Sequence, residues 1–157
     1  MKNISIGTPA PDFSLPDYAG ETRSLSDYRG QWVLLYFYPK DNTPGCVKEA
    51  CGIRDQFPHF VNRSVAVLGV SPDSAQSHKK FSEKYKLPFT LLADTEKKVV
   101  REYGVWGKKK MMGREVEGVI RTSFLIDPKG RVARIYDQVK PEGHAQEVLA
   151  DLEALES

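Results

Sequence analysis

Only two of the 157 residues are cysteine, Cys46 and Cys51, too few for a disulfide scaffold. A chain of this length buries a hydrophobic core without such staples. Long apolar runs are missing as well. The longest, residues 32–38, suits a strand and falls far short of the roughly 18 residues that a membrane span needs. Charge of one sign is equally scarce: 23 Lys and Arg stand against 21 Asp and Glu, a formal net charge of +2. Neither nucleic acid nor an acidic membrane surface is therefore expected as a partner. The opening stretch Met1-Lys-Asn-Ile-Ser lacks the apolar core of a secretory signal. With so little cysteine, that predicts a reducing, cytoplasmic setting. His59, His78 and His144 are too scattered for a metal motif, with no cysteine at zinc spacing. They read as surface residues, and no metal or cofactor is expected. Repeats, low-complexity segments and Gly/Ser linkers are absent, and the 10 prolines are spread along the chain. Residues 1–157 thus read as one domain.

What is present is an alternation of strand-like and helix-like segments. Short alternating pieces around residues 12–15 predict a small N-terminal hairpin. The continuous apolar run 32–38 predicts a central strand covered on both faces. After Pro44 and Gly45, the residues Val47, Ala50, Ile53, Phe57 and Phe60 keep three- and four-residue steps. They predict a helix that starts near Pro44. A second buried strand over 64–70 and a helix reaching Tyr85 follow. A short strand over 88–92 and a helix over 95–103 come next. Segments 121–126 and 131–136 flank the turn Asp127-Pro-Lys-Gly130 as a strand hairpin, and a helix over 143–155 ends the chain. The fold class expected is α/β, a three-layer α/β/α sandwich with a mixed central sheet. The basic stretch Lys108-Lys-Lys-Met-Met112 reads as a solvated loop, while Tyr103 and Trp106 read as packing residues.

The chemistry centres on Cys46. A cysteine at the first turn of a helix faces backbone N–H groups and the positive end of the helix dipole, which favour thiolate, the reactive species. Thr43 lies three residues earlier, where its hydroxyl can face the sulfur or cap the helix. Cys51 is five residues on. Five residues of ideal helix separate two Cα atoms by about 8.7 Å, whereas a disulfide wants less than about 7 Å. Any bond between these two cysteines requires the start of the helix to unwind. Otherwise Cys51 merely packs.

Pro39-x-x-x-Thr43-x-x-Cys46 after a strand, with Cys51 behind it, resembles the peroxiredoxins, specifically their bacterioferritin-comigratory-protein or PrxQ branch. Gly69-Val-Ser71, Lys84-Tyr-Lys-Leu-Pro-Phe89, Tyr103-Gly-Val-Trp106 and Arg121-Thr-Ser-Phe-Leu-Ile-Asp127 extend the resemblance over nearly the whole chain. It implies a thioredoxin-like fold and thiol-based reduction of hydrogen peroxide and organic hydroperoxides. Cys46 is then the peroxidatic nucleophile and Cys51 the resolving cysteine of an intrachain disulfide. Arg121 would hold thiolate and peroxide oxygen together, and Pro39 would shape the loop and shield the sulfur. Glu49, one turn past Cys46, either orients an arginine or belongs to a solvated helix face. Thioredoxin is the implied reductant and a monomer the implied state. Asn42 departs from the pattern, standing where relatives often carry an apolar or aromatic residue, with an expected effect on substrate access. Two other functions remain open at this stage: a protein dithiol-disulfide oxidoreductase, although such proteins favour Cys-x-x-Cys, and a peroxide sensor or holdase.

Overall fold

The computed structural model describes residues 4–156. Strands β1 (Ser14–Pro16) and β2 (Thr22–Ser24) form the small antiparallel hairpin, followed by a short 3-10 turn, Leu25–Tyr28. The central strand β3 (Trp32–Phe37) leads into helix α1 (Pro44–Asn62), and β4 (Val65–Ser71) into α2 (Ala75–Tyr85). Then come β5 (Thr90–Ala93), α3 (Lys98–Glu102), and a long hairpin of β6 (Trp106–Met111) and β7 (Arg114–Val119). Strands β8 (Thr122–Ile126) and β9 (Val132–Tyr136) and helix α4 (His144–Glu156) close the chain.

The main sheet has the order β5-β4-β3-β8-β9. β3, β4 and β5 run parallel, and β8 and β9 pair antiparallel. This is the mixed sheet of the thioredoxin-like fold. The unbroken apolar run of β3 is explained by helices on both faces, because successive side chains point to opposite sides. Leu34, Tyr36 and Tyr38 pack with Ala50 and Ile53 of α1 and Val148 and Leu152 of α4. Val33, Leu35 and Phe37 pack with Val99 and Val100 of α3 and with Phe13 and Leu15 of the N-terminal hairpin. No helix among the described residues is long and apolar enough to cross a membrane.

Three expectations need correction. The basic stretch 108–112 is no loop: Lys108, Lys109 and Lys110 pair with Glu117, Val116 and Glu115 across the β6–β7 hairpin. A two-stranded ribbon standing away from the main sheet has no fully covered face, so the alternation that marks a strand never arises. His78 and His144 are buried rather than at the surface, and only His59 is exposed. Each buried imidazole has a partner at both ring nitrogens. His78 meets Asp41 and the Leu92 carbonyl, and His144 meets Glu147 and Ser123. Burial is thereby made tolerable. Burial also lowers the His144 pKa, with the Glu147 hydrogen bond opposing the shift.

Candidate active site

Backbone chemistry sets the position of Cys46. Phe37 ends β3, Pro39 and Pro44 punctuate the connection, and α1 begins at Pro44, where a missing N–H costs nothing. Cys46 is therefore the third residue of the helix, 2% exposed, at the end where the helix dipole is positive. Asn42 turns the loop with φ 60°, a left-handed conformation that asparagine tolerates better than most side chains. Its amide oxygen accepts from the Tyr85 hydroxyl at 3.0 Å, which ties the loop to α2. It borders a hollow with Ser74 and Lys84 rather than the cleft beside Cys46, so the expected effect on substrate access has no basis in its placement.

The loop is anchored more firmly through Asp41, which is buried. Its N–H donates to Asp73 Oδ2 at 2.7 Å, and its carboxylate accepts from Tyr38 at 2.6 Å and Ser77 at 2.8 Å and meets His78 Nδ1 at 2.7 Å. Asp41, Asp73 and His78 have ligand atoms within 4.8 Å of one another. Both Asp41 oxygens and both His78 nitrogens already serve one another or neighbouring groups. The cluster acts as a hydrogen-bonded brace.

Arg121 reaches the site from the junction of β7 and β8. One guanidinium nitrogen, Nη2, donates to Cys46 Sγ at 3.3 Å, and the other, Nη1, to Glu49 Oε1 at 2.6 Å. The planar fork of arginine suits two acceptors one helical turn apart. Glu49 is 1% exposed, which removes it from the solvated helix face and gives it the arginine-orienting place. Burial pushes its carboxyl up to about 7, against the attraction of Arg121. Tyr36 Oη and Glu49 Oε2 are buried with no hydrogen-bond partner among the described residues. Burial, followed by the charges of Glu49 and Cys46, raises the Tyr36 phenol well above its usual value. The surroundings beneath the sulfur are thus buried and unfavourable to further negative charge.

The raised Glu49 pKa gives a signed expectation. Between about 4.5 and about 7 the folded protein holds a proton that the unfolded chain has released, so stability falls as pH rises through that window. The loss attributable to this group reaches about 3 kcal/mol at most. Denaturant melts of the reduced protein at the two ends of the window should show a shallower decline in Glu49→Gln. An identical decline in variant and wild type would count against it.

Gly45 makes room for the guanidinium. A Cβ at this position would lie 3.0 Å from Arg121 Nη2. Gly45→Ala is expected to push the arginine off the sulfur and slow the reaction of Cys46 with an oxidant, while the helix itself gains from alanine. Stopped-flow rates compared with thermal melts check both halves of that statement.

Of the residues singled out in the sequence, Pro39, Thr43 and Arg121 line one cleft of about 610 Å³ beside Cys46. The Thr43 hydroxyl donates to the Lys40 carbonyl at 2.8 Å and makes no cap bond to α1. Its donor is thus committed and its lone pairs remain. Trp106, Lys109, Val116 and Val119 of the β6–β7 hairpin form the opposite wall. The sequence showed no periodic sign of this wall. Cys51 lies further along the unbroken α1, partly buried, and both cysteines are free thiols.

Residues 6–135 match the model of the AhpC/TSA family. The chain is 48% identical to Peroxiredoxin Bcp of Bacillus subtilis over 149 residues, 95% of each chain. It is 45% identical to Peroxiredoxin Bcp of Escherichia coli over 149 residues, 95% of this chain and 96% of that one. Among solved structures, a cysteine variant of PrxQ from Xylella fastidiosa superposes with a TM-score of 0.93 at 37% identity, covering 100% of both chains. The bacterioferritin comigratory protein of Xanthomonas campestris, studied for its alkyl peroxide reduction activity, matches with a TM-score of 0.89 at 36% identity, covering 98% of this chain and 100% of that one.

Proposed function

The chain belongs to the AhpC/TSA family as a peroxiredoxin of the Bcp and PrxQ kind, and on that premise we propose that Cys46 is its peroxidatic nucleophile, acting on hydrogen peroxide and organic hydroperoxides. The observation that carries this assignment is the Arg121 guanidinium spanning Cys46 Sγ and Glu49 at the edge of the cleft. A cation held by a buried partner is oriented before the reaction begins, and its donors strengthen as negative charge moves onto peroxide oxygen.

In the first step the Cys46 thiolate attacks the terminal oxygen of ROOH. An S–O bond forms, the O–O bond breaks, and RO⁻ departs with both electrons of that bond. Arg121 donates to sulfur and oxygen along the line of displacement. Thr43, whose own proton is held by Lys40, accepts the hydroperoxide O–H and so orients the terminal oxygen towards sulfur. Pro39 offers no N–H to compete for the thiolate and closes that side of the cleft. Thr43→Val keeps the shape, removes the acceptor, and should slow the oxidation step by about tenfold or more, on the scale of a lost hydrogen bond to a charged centre. Stopped-flow rates measure this directly, and an unchanged rate would remove Thr43 from the step.

In the second step the Cys51 thiolate attacks the Cys46 sulfenic sulfur: the S–S bond forms, the S–O bond breaks, and the departing hydroxide takes a proton from solvent and leaves as water, giving an intrachain disulfide. Both residues lie on one continuous helix, so the first turns of α1 unwind to let the sulfurs meet. A dithiol protein of the thioredoxin type then restores both thiols by exchange. The chain works as a single cytoplasmic domain and as a monomer in this reading.

The test is stopped-flow consumption of hydrogen peroxide by the reduced protein, followed by recycling with thioredoxin and its reductase. Fast consumption that disappears in Cys46→Ser supports the proposal. Negligible reactivity of the wild type would favour a dithiol-disulfide exchange protein, and one oxidation without recycling by any dithiol would favour a sensor.

A further inference from the structure

The oxygen that leaves the peroxide needs a proton, and neither Arg121 nor Thr43 can readily supply it. Arginine keeps its charge under all ordinary conditions, and the Thr43 proton is engaged by Lys40. Lys109, on the β6–β7 hairpin, is differently placed. Its side chain runs across the bare backbone of Gly118, where a Cβ would stand 3.1 Å from Lys109 Cε and 3.5 Å from Nζ. The ammonium donates to the Val119 carbonyl at 2.9 Å. That bond fixes Nζ beside Gly118 and Val119, two further residues of the cleft lining, and uses one of its three protons.

Lys109 and Arg121 line the same cleft as Thr43 and Pro39. Burial first, and the Arg121 charge second, lower the Lys109 pKa, with Cys46 opposing them. Lys109 thus shares one cleft with Arg121 and Thr43, and it gives up a proton more readily than an ordinary lysine.

We propose that Lys109 is a catalytic residue of this reaction, the acid that protonates the departing alkoxide or hydroxide. The proposal rests on the peroxidase reading of Cys46. As sulfur bonds to the terminal oxygen and the O–O bond breaks, RO⁻ takes a proton from Lys109 Nζ and leaves as ROH. Sulfur loses two electrons, the peroxide gains them, and neutral Lys109 is reprotonated by water. Hydroxide and alkoxide are poor leaving groups, since water ionises only near a pKa of about 15.7. They gain most from a positioned acid.

The leaving group itself separates acid catalysis from a structural effect. Peracetic acid expels acetate, which is stable as an anion at neutral pH and needs no proton. Lys109→Met is expected to slow the reduced protein about 10²-fold with hydrogen peroxide and with tert-butyl hydroperoxide, at the lower end of general acid effects. Its rate with peracetic acid should remain that of the wild type. Lys109→Arg keeps the charge without a transferable proton and should show the same selective loss. An equal loss on all three substrates, no loss on any, or full rescue by arginine would overturn the assignment. Cys46→Ser measured alongside keeps the two claims distinct. If it consumes peroxide like the wild type, the peroxidase reading fails. If it is inert while Lys109→Met is fully active, only the role of Lys109 fails.

Discussion

Replacing Arg121 with methionine is expected to lower the rate constant for hydrogen peroxide reduction by about 10²- to 10³-fold, the usual consequence of removing one fixed donor from a developing anion. The size follows from geometry. The guanidinium is held between Cys46 Sγ at 3.3 Å and Glu49 Oε1 at 2.6 Å, with its side chain 15% exposed. It therefore acts from a partly desolvated position where electrostatic terms are large. The variant should still fold. Glu49, already pushed up to about 7, loses its counter-ion and takes up a proton rather than remaining a lone buried charge. Arg121→Lys should recover only part of the rate, because a single ammonium cannot bridge two acceptors as the fork does. Stopped-flow kinetics of both variants against wild type read the effect, and a loss of only a few-fold in Arg121→Met would contradict it.

Cys51→Ser is expected to separate the two half-reactions completely. Cys51 sits further along α1 than Cys46, and it is Cys46 that accepts the Arg121 hydrogen bond, so the first oxidation of Cys46 should proceed at the wild-type rate. Steady-state turnover with a thioredoxin-type reductant should collapse, since the sulfenic acid has no intramolecular partner. Excess peroxide should carry it on to sulfinic acid. Intact-protein mass spectrometry after one and after many equivalents of peroxide distinguishes these species. Undiminished turnover in Cys51→Ser would mean that an external thiol resolves Cys46 and that Cys51 merely packs.

The parts of the molecule readable from sequence are those with strong local signals. The apolar run of β3, the prolines that follow it and the three- and four-residue steps of α1 locate Cys46 at a helix start, and the motif around it brings in Thr43 and Pro39. Arg121 is 75 positions away from Cys46 in the chain. No periodicity links them, and only the family pattern at the head of β8 drew attention to it. Glu49 carried two readings because helix periodicity alone does not say which polar residue faces a cation from another element. The β6–β7 hairpin escaped because three consecutive lysines on an exposed ribbon imitate a loop, and with it went the cleft wall that holds Lys109. The burial of His78 and His144 is hidden from sequence for a related reason. A lone histidine has no sequence signal for burial, since what buries it is a distant acceptor such as the Leu92 carbonyl or Ser123.

One helix carries both cysteines at rest and must open for them to bond. Far-UV circular dichroism of the protein, reduced and then oxidised by one equivalent of hydrogen peroxide, combined with thiol counting and mapping of the disulfide, tests it most directly. Expected are loss of both thiols, a peptide cross-linked between Cys46 and Cys51, a drop in helicity equivalent to the first turns of α1, and full recovery on reduction. Loss of both thiols with unchanged helicity would contradict it.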